Sequence, residues 1–221
     1  MDVEHRGSMH CGRALLIASQ LLVASHGAAV EARKAPGDPV ALFVDDGSVE
    51  DVYVQSLAFT VLVNRFTPAE FPLELERVDV LFPPGKGGPP VGWPIHVYLY
   101  ADPDGDLLNG TEARLEAEGT VQSVDGVTFS EIEFPPVRFD GPGDILVGVS
   151  VGGGVPAWGA SDLTVPQQRS WEMIYSPVEA AEGIPVIPAD QNVLHTDRNW
   201  LIRAFGTVVD VPVELQSVAV D

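Results

Sequence analysis

The feature that most limits what this chain can fold into is the way glycine and proline are spread along it. The 221 residues include 22 glycines and 19 prolines, and beyond an N-terminal apolar run they interrupt every stretch before a helical period can extend over three turns. Glycine and proline are the least favourable residues in a helix interior, whereas turns use both. The sequence therefore predicts short strands joined by many turns.

Alternation of apolar and polar residues places the strands. Ile95, Val97 and Leu99 share one face of a strand at 95–100, a pattern typical of a strand with one buried face. Around Glu76 the apolar positions change parity, which predicts a bulge. Further strands are predicted at 41–44, 52–66 (as one strand or two), 71–82, 113–124, 128–134, 144–151, 170–175 and 199–209.

Eight or nine strands with regular turns predict an all-β fold. We expect a two-sheet antiparallel β-sandwich, jelly-roll-like or immunoglobulin-like. The sandwich domain is predicted to cover residues 41–209. A polar linker broken by proline precedes it at 33–40, and a tail strand follows it at 210–221.

Residues 1–32 are predicted to form a secretory signal peptide. Arg13 precedes an apolar run at 14–24 that is too short to span a bilayer comfortably, and small residues follow; an uncleaved anchor is the alternative. The single cysteine, Cys11, leaves with the leader. Since no second long apolar segment follows, we expect no transmembrane segment in the mature chain and a secreted or extracellular location, with the periplasm as an alternative.

Export should remove this leader at one of two sites with small residues, after Ala29 or after Ala32. N-terminal sequencing of the secreted protein should therefore begin between Ala28 and Lys34. Recovery of a membrane-bound protein that still begins at Met1 would contradict the prediction.

The acidic composition excludes some partners. With 32 Asp and Glu against 12 Lys and Arg, the formal net charge is −20. Such a chain repels phosphates, which argues against nucleic acid and against anionic membranes. A charged surface that keeps the protein solvated is one explanation of this composition. The alternative is that the protein meets cations.

Three aspartates after the strand at 95–100 predict a calcium site. Asp102, Asp104 and Asp106 have the 1, 3, 5 spacing with which a calcium loop surrounds its ion, and Asn109 or Glu112 could add ligands. An EF-hand is excluded, because the glycine and glutamate that it needs at its sixth and twelfth positions are absent. The alternative interpretation is a polar hairpin turn, for which this sequence is also typical.

Trp158 is the candidate ligand-binding residue. It lies in a glycine-rich stretch at 152–159, and exposed aromatic rings of this kind can stack on sugars. A packed loop anchor is the other interpretation. We expect Trp171 and Trp200, which lie in strand patterns, to be in the core.

The chain is not expected to be an enzyme. Only two histidines remain beyond the leader, His96 facing away from Ile95 and His195 in a predicted loop, and no strand-turn-helix with a nucleophilic serine accompanies them. Carboxylate pairs arise by chance among 32 acidic residues, so a glycan hydrolase stays as an alternative.

Several motifs resemble a type of bacterial extracellular β-sandwich and together cover residues 41–206. The set is similar to jelly-roll modules of secreted bacterial surface proteins and exported proteases, which are lectin-like or pre-peptidase C-terminal-like. The resemblance implies a non-catalytic module that binds an extracellular glycan or a surface protein, or an accessory fragment of a larger surface protein, and it supplies no ligand-binding residues. The motifs are 44–48, 64–68, 97–105, 109–111, 143–149, 169–171 and 199–204.

Overall fold

A computed structural model describes residues 34–55, 59–85, 88–107, 110–152, 156–175 and 193–210. The predicted signal peptide and all but the first residue of the predicted tail strand lie outside these ranges. In the ranges the regular structure is almost entirely β. The strands are β1 (Pro39–Leu42), β2 (Asp51–Gln55), β3 (Phe59–Phe66), β4 (Leu73–Val80), β5 (Pro94–Asp102), β6 (Glu112–Thr120), β7 (Ser130–Phe139), β8 (Asp144–Val151), β9 (Ala157–Asp162), β10 (Ser170–Tyr175), β11 (Val193–His195), β12 (Asn199–Trp200) and β13 (Ile202–Val208).

The strands form three antiparallel sheets, which confirms the predicted all-β antiparallel sandwich. Six strands pair in the order β11-β10-β3-β8-β5-β6, four in the order β1-β13-β4-β7, and three in the order β12-β9-β2. Within the described residues, only β5 with β6 and β10 with β11 pair strands that are consecutive in the chain. The other connections cross between sheets, as they do in jelly rolls. No helix of the described residues is long and apolar enough to cross a membrane.

The layer facing the six-stranded sheet is divided into two ladders, where the sequence predicts one. Leu201 separates β12 from β13, and it links both ladders through its backbone. Its N–H donates to the carbonyl oxygen of Ala160 at 3.1 Å, and its own carbonyl accepts from the N–H of Leu81 at 3.0 Å. The predicted strand at 199–209 is therefore two strands, as is the predicted segment at 52–66.

The main core lies between the six-stranded sheet and the two shorter sheets. Ile95, Val97 and Leu99 are completely buried in it, as their alternation predicts. Trp200 of the three-stranded sheet is also completely buried there, and its ring packs edge to face against Tyr53 at 5.4 Å between centroids.

The six-stranded sheet is buried on its second face as well. Its inner strands β3 and β8 are near-continuous apolar runs, which is typical of strands covered on both sides. Trp171, predicted to be in the core, lies on this second face. The buried cluster comprises Phe59, Val61, Val63, Tyr98, Tyr100, Leu107, Leu146, Trp171, Met173 and Tyr175.

The bulge predicted near Glu76 and Arg77 is confirmed. In the pairing of β4 with β13, Arg77 faces Phe205 and Leu75 faces Gly206, so Glu76 is the extra residue. The bulge turns the strand, so that apolar residues of both parities reach the core. Gly206 is required beside it, because a Cβ atom there would overlap the carbonyl oxygen of Glu74.

Candidate functional site

The three aspartates predicted to bind calcium lie in the turn after β5. Asp102 ends the strand and faces Asp144, the first residue of β8, across the ladder. Asp104 organises the turn, since its Oδ1 accepts a hydrogen bond from the N–H of Asp106 at 3.0 Å. Gly105 adopts a φ of 73°, a left-handed conformation that favours glycine.

Asp102 is the unusual member of the group. Its side chain is completely buried, and neither carboxylate oxygen has a hydrogen-bond partner among the residues that the structure describes. The pKa of Asp102 is raised from its usual 3.8 to about 6, first because burial disfavours the charged form and then because Asp104 and Asp144 lie close. A buried carboxylate with no partner is costly, so this position calls for a proton or a cation.

Asp144 connects this cluster to a neighbouring arginine and threonine. Its Oδ2 lies 3.3 Å from Nε of Arg65, and its Oδ1 accepts a short hydrogen bond from the hydroxyl of Thr67. Arg65 also donates to the carbonyl oxygen of Gly105 at 3.0 Å, which ties the turn to β3. Arg65 thus acts on the carboxylates of Asp144 and Asp102, and because Asp104 adds a third carboxylate beside Asp102, the cluster keeps an excess of negative charge.

The carboxylates of this turn do not form a complete set of metal ligands. Among the described residues, no group of three or more His, Cys, Asp or Glu side chains is arranged to hold a metal ion. Asp104 and Asp106 are exposed, whereas Asp102 points inward. The nearest oxygen donors line a cleft of about 190 Å³ that Asp102 shares with Glu112, Asp140 and Asp144. Asn109, named as a further ligand, lies outside the described residues.

A cation at this cleft would draw on Asp102 and Asp144, with the exposed Asp104 beside Asp102. All are carboxylates, the oxygen ligands that calcium prefers. Glu112 has a competing partner, because its carboxylate lies 2.7 Å from a guanidinium nitrogen of Arg114.

Trp158 lies in a strand and not in the predicted loop. It is on β9, opposite Val54 of the edge strand β2, and its half-buried side chain packs against the main core. Its ring meets Trp93 edge to face, with 5.5 Å between centroids. Trp93 is 38% exposed, so of the two rings it is the one that presents more surface to solvent.

The two histidines occupy unrelated places. His96 on β5 lies 3.6 Å from a carboxylate oxygen of Glu116 on β6, in the cross-strand position that its parity predicts. His195 is the last residue of β11, where the sequence predicts a loop, and it packs against Trp171. Three strands separate β11 from β5, or about 19 Å at the usual strand spacing, so the two side chains do not share a site.

Asp144 and Arg65 are site residues that the sequence did not single out for this role. Asp144 comes from a segment 42 residues after Asp102, and only the pairing of β5 with β8 brings the two together. The sequence feature that could have indicated this pairing is the turn before Asp144. Its Gly143 lies so close to the backbone of Pro103 that a Cβ atom on residue 143 would be 2.6 Å from the Cα atom of Pro103.

Comparison with known proteins yields a fold likeness only. No protein-family model and no curated protein matches the chain. It is similar to a solved structure of the clostridial cysteine protease Cwp84 after propeptide cleavage, with a TM-score of 0.50, 12% identity, and coverage of 80% of this chain and 42% of that one. A structure of the cysteine protease and lectin-like domains of Cwp84, a surface layer associated protein of Clostridium difficile, matches with a TM-score of 0.39 and 13% identity over 72% and 36% of the two chains. The chain thus spans less than half of these proteins.

Proposed function

We propose that this protein is an extracellular, non-catalytic binding module that is stabilised by calcium and recognises a glycan or a protein at a cell surface. The observation that carries the proposal is Asp102, a completely buried carboxylate that adjoins Asp104 and Asp144 and whose two oxygens have no hydrogen-bond partner within the described ranges.

Calcium suits this cluster better than the alternatives available to the chain. A buried anion without a partner is stabilised either by protonation or by a cation, and Arg65 is already bound to Asp144 and to Gly105. Calcium accepts six to eight oxygen ligands in flexible geometry, so it can combine carboxylates with backbone carbonyls of the turn and water. Millimolar affinity, usual for extracellular modules, is what we expect.

The binding role is supported by the fold likeness. Cwp84 is described as a surface layer associated protein with a cysteine protease and a lectin-like domain, and it shares the fold of most of this chain. We propose no cysteine protease activity for this module, because its described residues contain no cysteine to serve as the nucleophile. A lectin-like surface module is the role that an acidic, all-β chain of this kind fits best.

Thermal unfolding with and without calcium tests the proposal. In 10 mM calcium the melting temperature should exceed that in EDTA by about 3 to 6 °C, since a ligand at tenfold its millimolar dissociation constant contributes about 1.4 kcal/mol. Asp104→Ala should lose this rise. Glu118→Ala, which removes one exposed carboxylate from β6, should keep it.

Magnesium at the same concentration serves as a further control, because it demands a stricter octahedral shell and should have a smaller effect. Equal melting temperatures in calcium and EDTA would overturn the calcium part of the proposal. A full calcium rise in Asp104→Ala would place the cation elsewhere.

A further inference from the structure

A second cleft opens at the end of β1 and contains two arginines, one of which, Arg65, also pairs with Asp144 beside the acidic turn. Its volume is about 450 Å³, within the range of ligand pockets. Apolar, hydrogen-bonding and charged side chains line it, and its one carboxylate, that of Asp45, is already paired with Arg203. The other side chains of the lining include Leu42, Phe43, Arg65, Thr67, Gln167 and Arg169.

Arg169 is the exception among the arginines. The structure describes seven, and each of the other six lies 2.5 to 3.3 Å from a carboxylate oxygen. No carboxylate of the described residues pairs with Arg169; its guanidinium donates instead to the hydroxyl of Thr67 at 2.6 Å. In a chain with 32 acidic and 12 basic residues, a guanidinium that has no carboxylate partner among the described residues is suited to bind the carboxylate of a ligand.

The backbone holds Arg169 firmly in place. The preceding Gln168 has a φ of 55°, a left-handed conformation that costs free energy in a residue other than glycine and that is concentrated at functional sites. On the other side, the carbonyl oxygen of Arg169 accepts a hydrogen bond from the N–H of Arg65 at 2.8 Å. Arg169 is therefore fixed between a strained turn and the six-stranded sheet, which reduces the entropy lost on binding.

The rim of the cleft adds an exposed aromatic ring. Phe43 is 56% exposed and lies in the same cleft as Arg169. An aromatic face packs against the C–H face of a sugar ring, while a guanidinium binds a carboxylate through two parallel hydrogen bonds. The side-chain amide of Gln167 offers a further hydrogen bond at the same opening, whereas the hydroxyl of Thr67 already donates to Asp144 and accepts from Arg169.

We infer that this cleft binds the terminal acidic sugar of an extracellular glycan, with Arg169 holding the sugar carboxylate and Phe43 packing against the ring. The inference rests on the proposed function and specifies its ligand. A single terminal carboxylate is favoured over a polyanionic chain or an acidic peptide, because the protein's charge of −20 repels a ligand with many negative charges.

Titration calorimetry with matched sugars tests this assignment. The protein should bind sialyllactose or a glucuronate-terminated disaccharide at least tenfold more tightly than lactose, which lacks the carboxylate. Arg169→Ala should lower affinity for the acidic sugars by about tenfold or more, because it removes the charge-assisted hydrogen bonds to the sugar carboxylate, and it should leave binding of lactose unaffected. Arg138→Ala, which removes an arginine already paired with Asp140 at 2.7 Å, should change neither.

The melting temperature of Arg169→Ala without sugar should stay close to that of the unchanged protein, which separates loss of binding from loss of fold. Equal affinity for acidic and neutral sugars, or acidic-sugar affinity that survives Arg169→Ala, would overturn the inference while glycan recognition stands. Binding of carboxylate-bearing peptides alone would overturn it as well. Absence of binding across a broad glycan array would overturn glycan recognition itself, independently of the calcium test.

Discussion

Val97→Asp should leave the protein largely unfolded at 25 °C. Val97 is completely buried at the centre of β5, where it pairs with Ala117 on β6 and Val149 on β8. A carboxylate there faces the main core and finds no partner, and such burial costs several kcal/mol. That loss is comparable to the whole stability of a domain, about 5 to 15 kcal/mol.

The matched control is Val127→Asp, because Val127 is 78% exposed. The same substitution at this surface position should change stability by no more than about 0.5 kcal/mol. Circular dichroism and urea unfolding measure both variants. A cooperative transition in Val97→Asp at the urea midpoint of the unchanged protein would show that β5 does not face the core.

Local periodicity accounts for the parts of the fold that the sequence predicted correctly. The alternation of Ile95, Val97 and Leu99, and the change of parity at Glu76, each reflect which side chains a single strand buries. Both features therefore appear in the sequence without knowledge of the neighbouring strands. The strands β8 and β10 were likewise predicted within their observed limits.

The strands that the sequence does not predict are β9 and β11, whose formation depends on pairing with other strands. Trp158 was expected in a loop because the glycine-rich stretch before it shows no alternation, yet β9 forms by pairing with β2 and β12, remote in the chain. His195 ends β11, which is only three residues long and pairs with the preceding strand β10. So short a segment shows no alternation, and the sequence therefore predicts a loop there. Neither strand carries a strong local signal of its own.

The candidate sites, too, could be predicted from the sequence only in part. The spacing of Asp102, Asp104 and Asp106 is visible in the sequence, but burial of the first and exposure of the other two depend on where β5 ends within the sheet. The role of Asp144 depends on strand order. Arg169 has no distinguishing local pattern, because lack of a carboxylate partner is a property of the folded surface and not of the sequence around it.

Asp102→Asn should raise the melting temperature of the calcium-free protein at neutral pH and abolish its response to calcium. The pKa of Asp102 is raised to about 6 in the folded protein, above its usual 3.8, so the folded state binds more protons than the unfolded state between these values. The stability that Asp102 contributes is therefore fully present below about pH 4 and is lost as pH rises through about 6. Asparagine keeps the shape, carries no charge and removes this penalty.

The expected gain follows from the size of the pKa change. A rise of about two pKa units corresponds to about 3 kcal/mol, and solvent access through the adjoining cleft screens part of it, so we expect about 1 to 2 kcal/mol, or about 2 to 8 °C. Melting curves in EDTA from pH 4 to pH 8 measure it. The difference between Asp102→Asn and the unchanged protein should be near zero at pH 4 and reach its full value above pH 7.

Asp125→Asn should have the opposite effect on stability to Asp102→Asn. Hydrogen bonds from the backbone and the side chain of Thr128 and from the backbone of Val127 hold the pKa of Asp125 well below its usual range. This carboxylate stabilises its turn when ionised, so its replacement should lower the melting temperature at neutral pH.

If Asp102→Asn also lowered the melting temperature in EDTA above pH 7, the charge on Asp102 would have a compensating partner in the folded protein, and the case for a cation at this turn would fail.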